Sequence, residues 1–284
     1  MRRMVTRDEV VAHRDALPVF PRVIEEILKT LDDPEANIHL LVTHVTRDPV
    51  LSGRIFALAN AAASRTRRDS KVRDLYTATS LIGLSRLRQT VIMTSLAGFL
   101  RGSLPPGLSP GFWEHSAATG VAAQQLALHV HQPADAALIA GLLHDIGQLW
   151  LYRFEPENFM VAWQAARNRE ATIEGAERIQ FGVDHSTIGA WLAECWELPP
   201  EICQAIQQHH APPELENMPP LVAVVHVAEV LSNALDLGEG EGSRVTYLSA
   251  RACEVLGLHW DFDSEALFGR IDATSHFTTK YFRQ

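Results

Sequence analysis

Gly141-Leu142-Leu143-His144-Asp145-Ile146-Gly147 is the stretch on which the reading of this chain turns. The residues around it are apolar with helical spacing, so one helix over Ala134–Tyr152 is expected to carry a histidine and an aspartate side by side. Burying either group without a partner costs roughly a few kcal/mol. Neighbours on a helix point about 100° apart, so one pocket holds both only by wrapping the helix. A metal cation or a dense polar network is the usual reason to keep such a pair in an apolar setting.

Working outward, more polar side chains fall on the neighbouring helices. His115 lies one helix earlier, next to Trp113. His185 follows Asp184, a candidate N-cap, and shares its helix face with Gly189 and Leu192. The missing side chain at Gly189 lets another group approach the backbone closely. His209 and His210 close the penultimate helix, and His226 and Glu229, three apart, share a face of the last one. Imidazoles and carboxylates without thiolates suit iron, manganese, zinc or nickel. The three cysteines, Cys195, Cys203 and Cys253, are far apart and form no Cys-x-x-Cys. They read as small buried apolar residues in a reducing compartment, the cytoplasm.

Composition sets the outer bounds. The 284 residues are 46% hydrophobic and 21% charged, enough to bury a real core. A net charge of −9 argues against a general nucleic-acid binder. The charged opening, Met1-Arg2-Arg3-Met4, lacks a signal peptide's apolar run, and no apolar stretch is long enough to span a bilayer.

Helical periodicity accounts for nearly every long segment, so an all-α fold of two packed helical lobes is expected. The first clear helix runs from Arg22 to about Leu31, and Asn37 is a candidate cap for the next. Asp48-Pro49 pairs an N-cap with a proline at the first helical position and starts a helix reaching about Ala62. Others cover Leu75–Ile82 and Ser85–Leu100. The glycines and prolines of residues 101–111 mark a linker or long loop. That places an N-terminal lobe at 1–100, a second lobe at 112–237 and a C-terminal extension at 238–284, where a short helix covers Leu248–Leu256. The second lobe is expected to contain helices Phe112–His131, Ala134–Tyr152, Pro156–Arg169, Ile173–Phe181, His185–Trp196, Pro200–His210 and Leu221–Leu237.

Taken together, His115, His144-Asp145, His185, His209-His210 and a late acid resemble the HD superfamily of metal-dependent phosphohydrolases. Within it the chain is most similar to the HDOD group, the HD-related output domains of bacterial signalling. Leu17-Pro18-x-x-Pro21, Arg47-Asp48-Pro49 before Leu58-Ala59-Asn60, Leu81-Ile82-Gly83-Leu84 before Arg86-Leu87-Arg88, Asp184-His185 and Leu198-Pro199 complete the match, which covers about residues 16–237. The resemblance implies an HD-like helical bundle in the second lobe. It also implies a metal set of His115, His144, Asp145, His185, His209, His210 and Glu229, holding one or two divalent ions.

Departures from the pattern shape the functional expectation. Relatives that cleave cyclic di-GMP carry Glu and a Gly-Tyr-Pro segment after the His-His pair, whereas here Ala211-Pro212-Pro213-Glu214 follows. Their lysine after His-Asp-x-Gly is Gln148 here, one fewer cation for charge developing on a phosphodiester. The last metal acid, normally aspartate, is Glu229. The expectation is therefore a regulatory signalling protein without turnover, acting through protein contact or small-ligand sensing, with a nucleotide as a candidate ligand. The alternative is a phosphohydrolase or phosphodiesterase acting on a nucleotide or cyclic dinucleotide, with Asp145 bridging or orienting. His226 is expected to support the site or the core rather than to ligate. The basic residues Arg65, Arg67, Arg68, Lys71, Arg73, Arg86 and Arg88 read as a solvated face interrupted by Asp69 and Asp74, ahead of a phosphate-binding surface. Trp113, Trp150, Trp163, Trp191 and Trp196 read as core filling.

Overall fold

The computed structural model describes residues 3–29, 34–65, 72, 74–103, 111–168, 170–214, 217–235, 237, 247–259 and 262–282, and the regular elements among them are all helical, as expected. The chain divides into two compact units. One is Phe20–Phe99; the other combines Met1–Val19 with Leu100–Gln284. Helix α1 (Arg7–Ala12) belongs to the larger unit, and α2 (Arg22–Lys29) opens the smaller.

In the smaller unit α2 is followed by α3 (Pro34–Arg47), α4 (Pro49–Arg65), α5 (Leu75–Ile82) and α6 (Leu84–Ser103), the last running on past Phe99. Val23, Ile24, Ile27 and Leu28 are buried on one face of α2, as their spacing requires. Asp48 caps α4: its Oδ1 accepts from the Val50 and Leu51 amides at 2.8 and 3.1 Å. Asp74 does the same for α5 through the Thr77 amide, and Gly83, at φ +80°, closes that helix. Asn37 does not cap α3. The helix already begins at Pro34, whose fixed φ suits a first turn. Glu26 receives Arg22 at 2.9 Å and the ring of His44 at 2.6 Å, tying α2 to α3. Of the basic cluster, Arg67, Arg68, Lys71, Arg73 and the Arg65 side chain lie outside the described residues, as does residue span 104–110 of the expected linker. Arg86 is exposed and Arg88 half-buried on α6.

The larger unit is built around a helical hairpin, α7 (Gly111–His129) and α8 (Ala134–Leu143). Gly120 and Gly141 let the two backbones meet, for a Cβ on Gly141 would come within 2.8 Å of Gly120 Cα. Around the hairpin follow α9 (Ile146–Phe154), α10 (Pro156–Arg167), α11 (Ile173–Phe181), α12 (His185–Cys195), α13 (Pro200–Gln208), α14 (Pro220–Ala234), α15 (Ala250–Val255) and α16 (Phe262–Phe282). Every residue of α14 from Leu221 to Ser232 is buried, so this helix runs through the middle of the bundle, packed on α7, α8 and α13.

Three expectations need correction. The helix expected over Ala134–Tyr152 is two helices, with His144 and Asp145 in the turn between them. Asp145 has φ −98° and ψ 12°, outside the helical well, so the pair does not have to wrap one helix to share a cavity. His209 and His210 stand just beyond the end of α13 rather than on it. Residues 3–19, grouped by sequence with the first lobe, fold on the larger unit. There Val5, Val10 and Leu17 are buried, α1 packs on α12, and the Val5 amide donates to the Phe181 carbonyl at 3.0 Å. Helices α1 and α16 had no counterpart in the sequence reading. Among the described residues no helix is long and apolar enough to cross a membrane.

Candidate metal centre

Three histidines of the expected set, His144, His185 and His209, are each aimed by a local device. His144 sits one residue past α8, and its Nδ1–H donates to the Gly141 carbonyl at 2.7 Å. His209 repeats the arrangement one residue past α13, donating from Nδ1 to the Ile206 carbonyl at 2.7 Å. A carbonyl only accepts, so both neutral rings carry their proton on Nδ1 and present a lone pair at Nε2. His185 opens α12, where Asp184 caps the helix by accepting from the Thr187 amide at 2.9 Å. Its Nδ1–H donates to Glu177 Oε2 at 2.6 Å, and its backbone amide donates to the same oxygen at 2.8 Å. Nε2 of His185 is thereby directed inward as well.

These three Nε2 atoms meet the carboxylate of Asp145. Oδ2 lies 3.3 Å from His144 Nε2 and 3.7 Å from His115 Nε2, while Oδ1 lies 3.1 Å from His185 Nε2 and 3.8 Å from His209 Nε2. His115 Nε2 is 3.2 Å from His144 Nε2, and His210 Nε2 is 3.0 Å from His185 Nε2. Glu229 closes the far side, 3.9 Å from His209 Nε2 and 3.6 Å from His210 Nδ1. Donor atoms of three overlapping groups lie within 4.8 Å of one another: Asp145 with His185, His209 and His210; His115 with His144 and Asp145; His144 with His209 and Glu229. Two donors bound to one ion at about 2.1 Å stand roughly 3.0–3.4 Å apart, the spacing seen around Asp145.

The hydrogen-bond account supports the same use. Asp145 Oδ1 and His209 Nε2 are buried atoms without a hydrogen-bond partner; the 3.1 Å approach of Oδ1 to His185 lacks the alignment of a hydrogen bond. Acceptors that face one another without a donor are costly unless a proton or a cation sits between them. Seven donors, none a thiolate, thus fit one or two divalent transition ions, with Asp145 offering one oxygen to each side. Glu177 holds the outer nitrogen of His185 as a buried carboxylate commonly does for histidines in metal centres.

Charge within the centre is sharply partitioned. Burial would raise the Asp145 carboxyl, but the imidazoles of His144 and His185 outweigh it and hold the group well below the usual carboxylate range. Burial likewise works against protonating His185, yet Glu177 and Asp145 hold that ring well above its ordinary value, and Asp145 does the same more weakly for His144. Burial and the neighbouring imidazoles push His209 and His210 well below theirs and His115 down to about 4. Burial lifts Glu229 to about 8. His144, His185 and His209 are wholly buried, whereas the side chains of His115 and His210 are 23% and 16% exposed and form the solvent edge.

His226, by contrast, has both nitrogens engaged. Nδ1–H donates to the His209 carbonyl at 2.7 Å, and Nε2 accepts from the Ser249 amide at 3.0 Å. It supports the segment that carries His209 and His210 and offers no lone pair to the centre. Glu177 was not singled out from sequence, although a signal exists. It lies four residues after Ile173 and four before Phe181, on the apolar stripe of α11, where an acid needs a reason to be. His13 packs against the rings of Trp150 and Phe154, away from this set.

The sequence profile of the HDOD domain matches residues 17–212. The chain belongs to the HDOD family. A protein of uncharacterised function from Treponema pallidum (strain Nichols) is 26% identical over 228 residues, and this HDOD chain spans only 43% of that relative's length. Among solved structures, an HDOD domain protein of unknown function from Geobacter sulfurreducens superposes with a TM-score of 0.75 at 24% identity, over 98% of this chain and 97% of its own. A protein from Shewanella amazonensis SB2B, named provisionally as a phosphohydrolase, superposes with a TM-score of 0.68 at 25% identity, over 96% of each chain. The HDOD fold of this chain is thus shared along nearly its whole length.

Proposed function

We propose that this HDOD protein is a regulatory signalling module whose centre takes up a divalent transition-metal ion and whose output is contact with another signalling protein rather than turnover. The carrying observation is the buried meeting of His144, His185 and His209 Nε2 with the Asp145 carboxylate, in which Asp145 Oδ1 and His209 Nε2 lack a hydrogen-bond partner. His144, Asp145, His185 and His209 would form the inner set, with His115, His210 and Glu229 at its edges. The lining is nearly sealed, and Gln148 stands where the hydrolytic relatives carry lysine, which favours a structural or sensing use of the ion. The second reading is a metal-dependent phosphohydrolase acting on a nucleotide or cyclic dinucleotide. It draws on the completeness of the donor set and on the name of the Shewanella protein. A bound ion would then supply Lewis acidity and a more acidic water, while Asp145 orients the reacting groups at the His115–His210 edge. Elemental analysis after expression with manganese and iron, paired with cyclic-dinucleotide and nucleotide hydrolysis assays, separates the two. Bound metal lost in His144→Ala, without hydrolysis, is the expected result. Hydrolysis that His144→Ala abolishes would replace the first reading with the second, and wild-type protein free of metal would remove both.

A further inference from the structure

The segment from His209 to Glu214 carries two of the candidate ligands and is pinned at both ends by residues outside the candidate donor set. At its start the His226 ring, on α14, bonds the His209 carbonyl at 2.7 Å. At its end Glu214 Oε1 accepts from Tyr247 Oη–H at 2.6 Å and from Ser249 Oγ–H at 2.9 Å. The two pins share an anchor. The Ser249 amide donates to His226 Nε2 at 3.0 Å, and Ser249 Oγ also caps α15 by accepting from the Ala252 amide at 3.1 Å. One imidazole thus accepts from the C-terminal extension and donates to the backbone of a ligand residue. Its tautomer is fixed by both partners, since a carbonyl only accepts and an amide only donates. Ser249 is fully buried, so the anchor is built into the packing, whereas the Tyr247 end is half-exposed and free to be displaced.

From this wiring we infer that residues Tyr247–Val255 act as a clasp that regulates the metal centre. Seated, the clasp holds His209 and His210 against Asp145 and Glu229; released, it lets the segment bearing them relax and lowers affinity for the ion. The inference rests on the reading of the centre as a metal site and assigns its regulation. His226 is then a positioning residue, acting through the His209 backbone. Linkage makes the coupling reciprocal: whatever factor the seated clasp adds to metal affinity, bound metal adds to the seating of the clasp. A partner or ligand that competes for Glu214 or Tyr247 would report on, and control, the occupancy of a centre it never touches.

Two measurements with Mn²⁺ on the full chain test this: affinity by chelator competition, and amide exchange across residues 247–255. Glu214→Ala removes the far pin at the surface and should weaken Mn²⁺ binding about tenfold, while His226→Phe should weaken it by about 10- to 100-fold, the range for groups that orient ligands. His226→Gln, which keeps a donor and an acceptor, should recover much of the loss. In the wild type Mn²⁺ should slow exchange across 247–255, and in Glu214→Ala that protection should shrink. Unchanged Mn²⁺ affinity in Glu214→Ala, or equal protection with and without Mn²⁺ in the wild type, overturns the clasp and leaves the metal site standing. Wild-type protein that does not bind Mn²⁺ overturns the metal site and the clasp with it. Because Glu214 and Tyr247 lie at the surface, Glu214→Ala keeps the test decisive even should the His226 variants fail to fold.

Discussion

Gly147→Ala should damage the centre without replacing any candidate ligand side chain. Gly147 faces α12 across the tightest helix contact near the site, where α9 and α12 meet through Gly147 and Gly189. A Cβ on Gly147 would collide with the His185 carbonyl oxygen and approach the Gly189 amide nitrogen to 2.8 Å, against an ordinary contact limit of 3.4 Å. The obstacles are backbone atoms of a helix, so no side chain can swing aside. The helices must part by at least about 0.6 Å at Gly189 and further at His185. Asp145 begins one helix and His185 the other, so their 3.1 Å approach opens with them. Overpacking of this kind costs roughly 1–3 kcal/mol, and backbone obstacles place it near the top of that range. At about 2–4 °C per kcal/mol for a chain of this size, the metal-free transition should fall by about 6–12 °C. Calorimetry on the metal-free protein gives the shift, and chelator competition with Mn²⁺ should show weaker binding. A melt within about 2 °C of wild type with unchanged Mn²⁺ affinity would refute the claim that this contact sets the Asp145–His185 distance.

Gly98 gives the opposite expectation. It is exposed inside α6 with nothing within 4 Å of an added Cβ, so Gly98→Ala should stabilise the smaller unit by up to about 1 kcal/mol, read by urea denaturation. Glu177→Ala should lower Mn²⁺ affinity by about 10- to 100-fold, because His185 loses the carboxylate that fixes its tautomer; an unchanged affinity would show that His185 is not a ligand. In the metal-free protein His115, His209 and His210 should cost stability as pH falls below about 6.5 toward 4, while Glu229, raised to about 8, works against that loss. His115, His209 and His210 have folded values below the unfolded one, so protons bind the unfolded chain preferentially there. His144 and His185, with raised values, work the other way: their contribution is full below about 6.5 and fades as pH rises through the raised values. In a stability–pH profile, His210→Asn should therefore reduce the acid loss. A profile identical to wild type would show that His210 does not resist protonation.

Periodicity, caps and breakers determine most of the helical frame. The Asp48-Pro49 start, the Leu75–Ile82 span, the Ile173–Phe181 span and the Asp184 cap are local features, written in side-chain-to-backbone bonds over three or four residues. The donor types of the centre were legible for a similar reason, since acids and imidazoles on apolar helices are conspicuous. Where those helices stop was not. A turn at His144-Asp145 costs little locally, and it forms because Gly147 lets α9 press on α12 and turn Asp145 toward His185. Glu177 escaped notice because its partner, His185, lies eight residues on and across a helix boundary. The role of His226 needed the C-terminal extension folded back upon it.

By itself the sequence determined an all-helical chain, its family and a metal-suited set of side chains, because helix propensity and donor chemistry belong to individual residues and their near neighbours. Only the tertiary structure decided which nitrogen each histidine turns inward, which carboxylate supports it and that residues 3–19 join the larger unit. Those outcomes depend on contacts between segments far apart in the chain, whose free energy no local stretch contains.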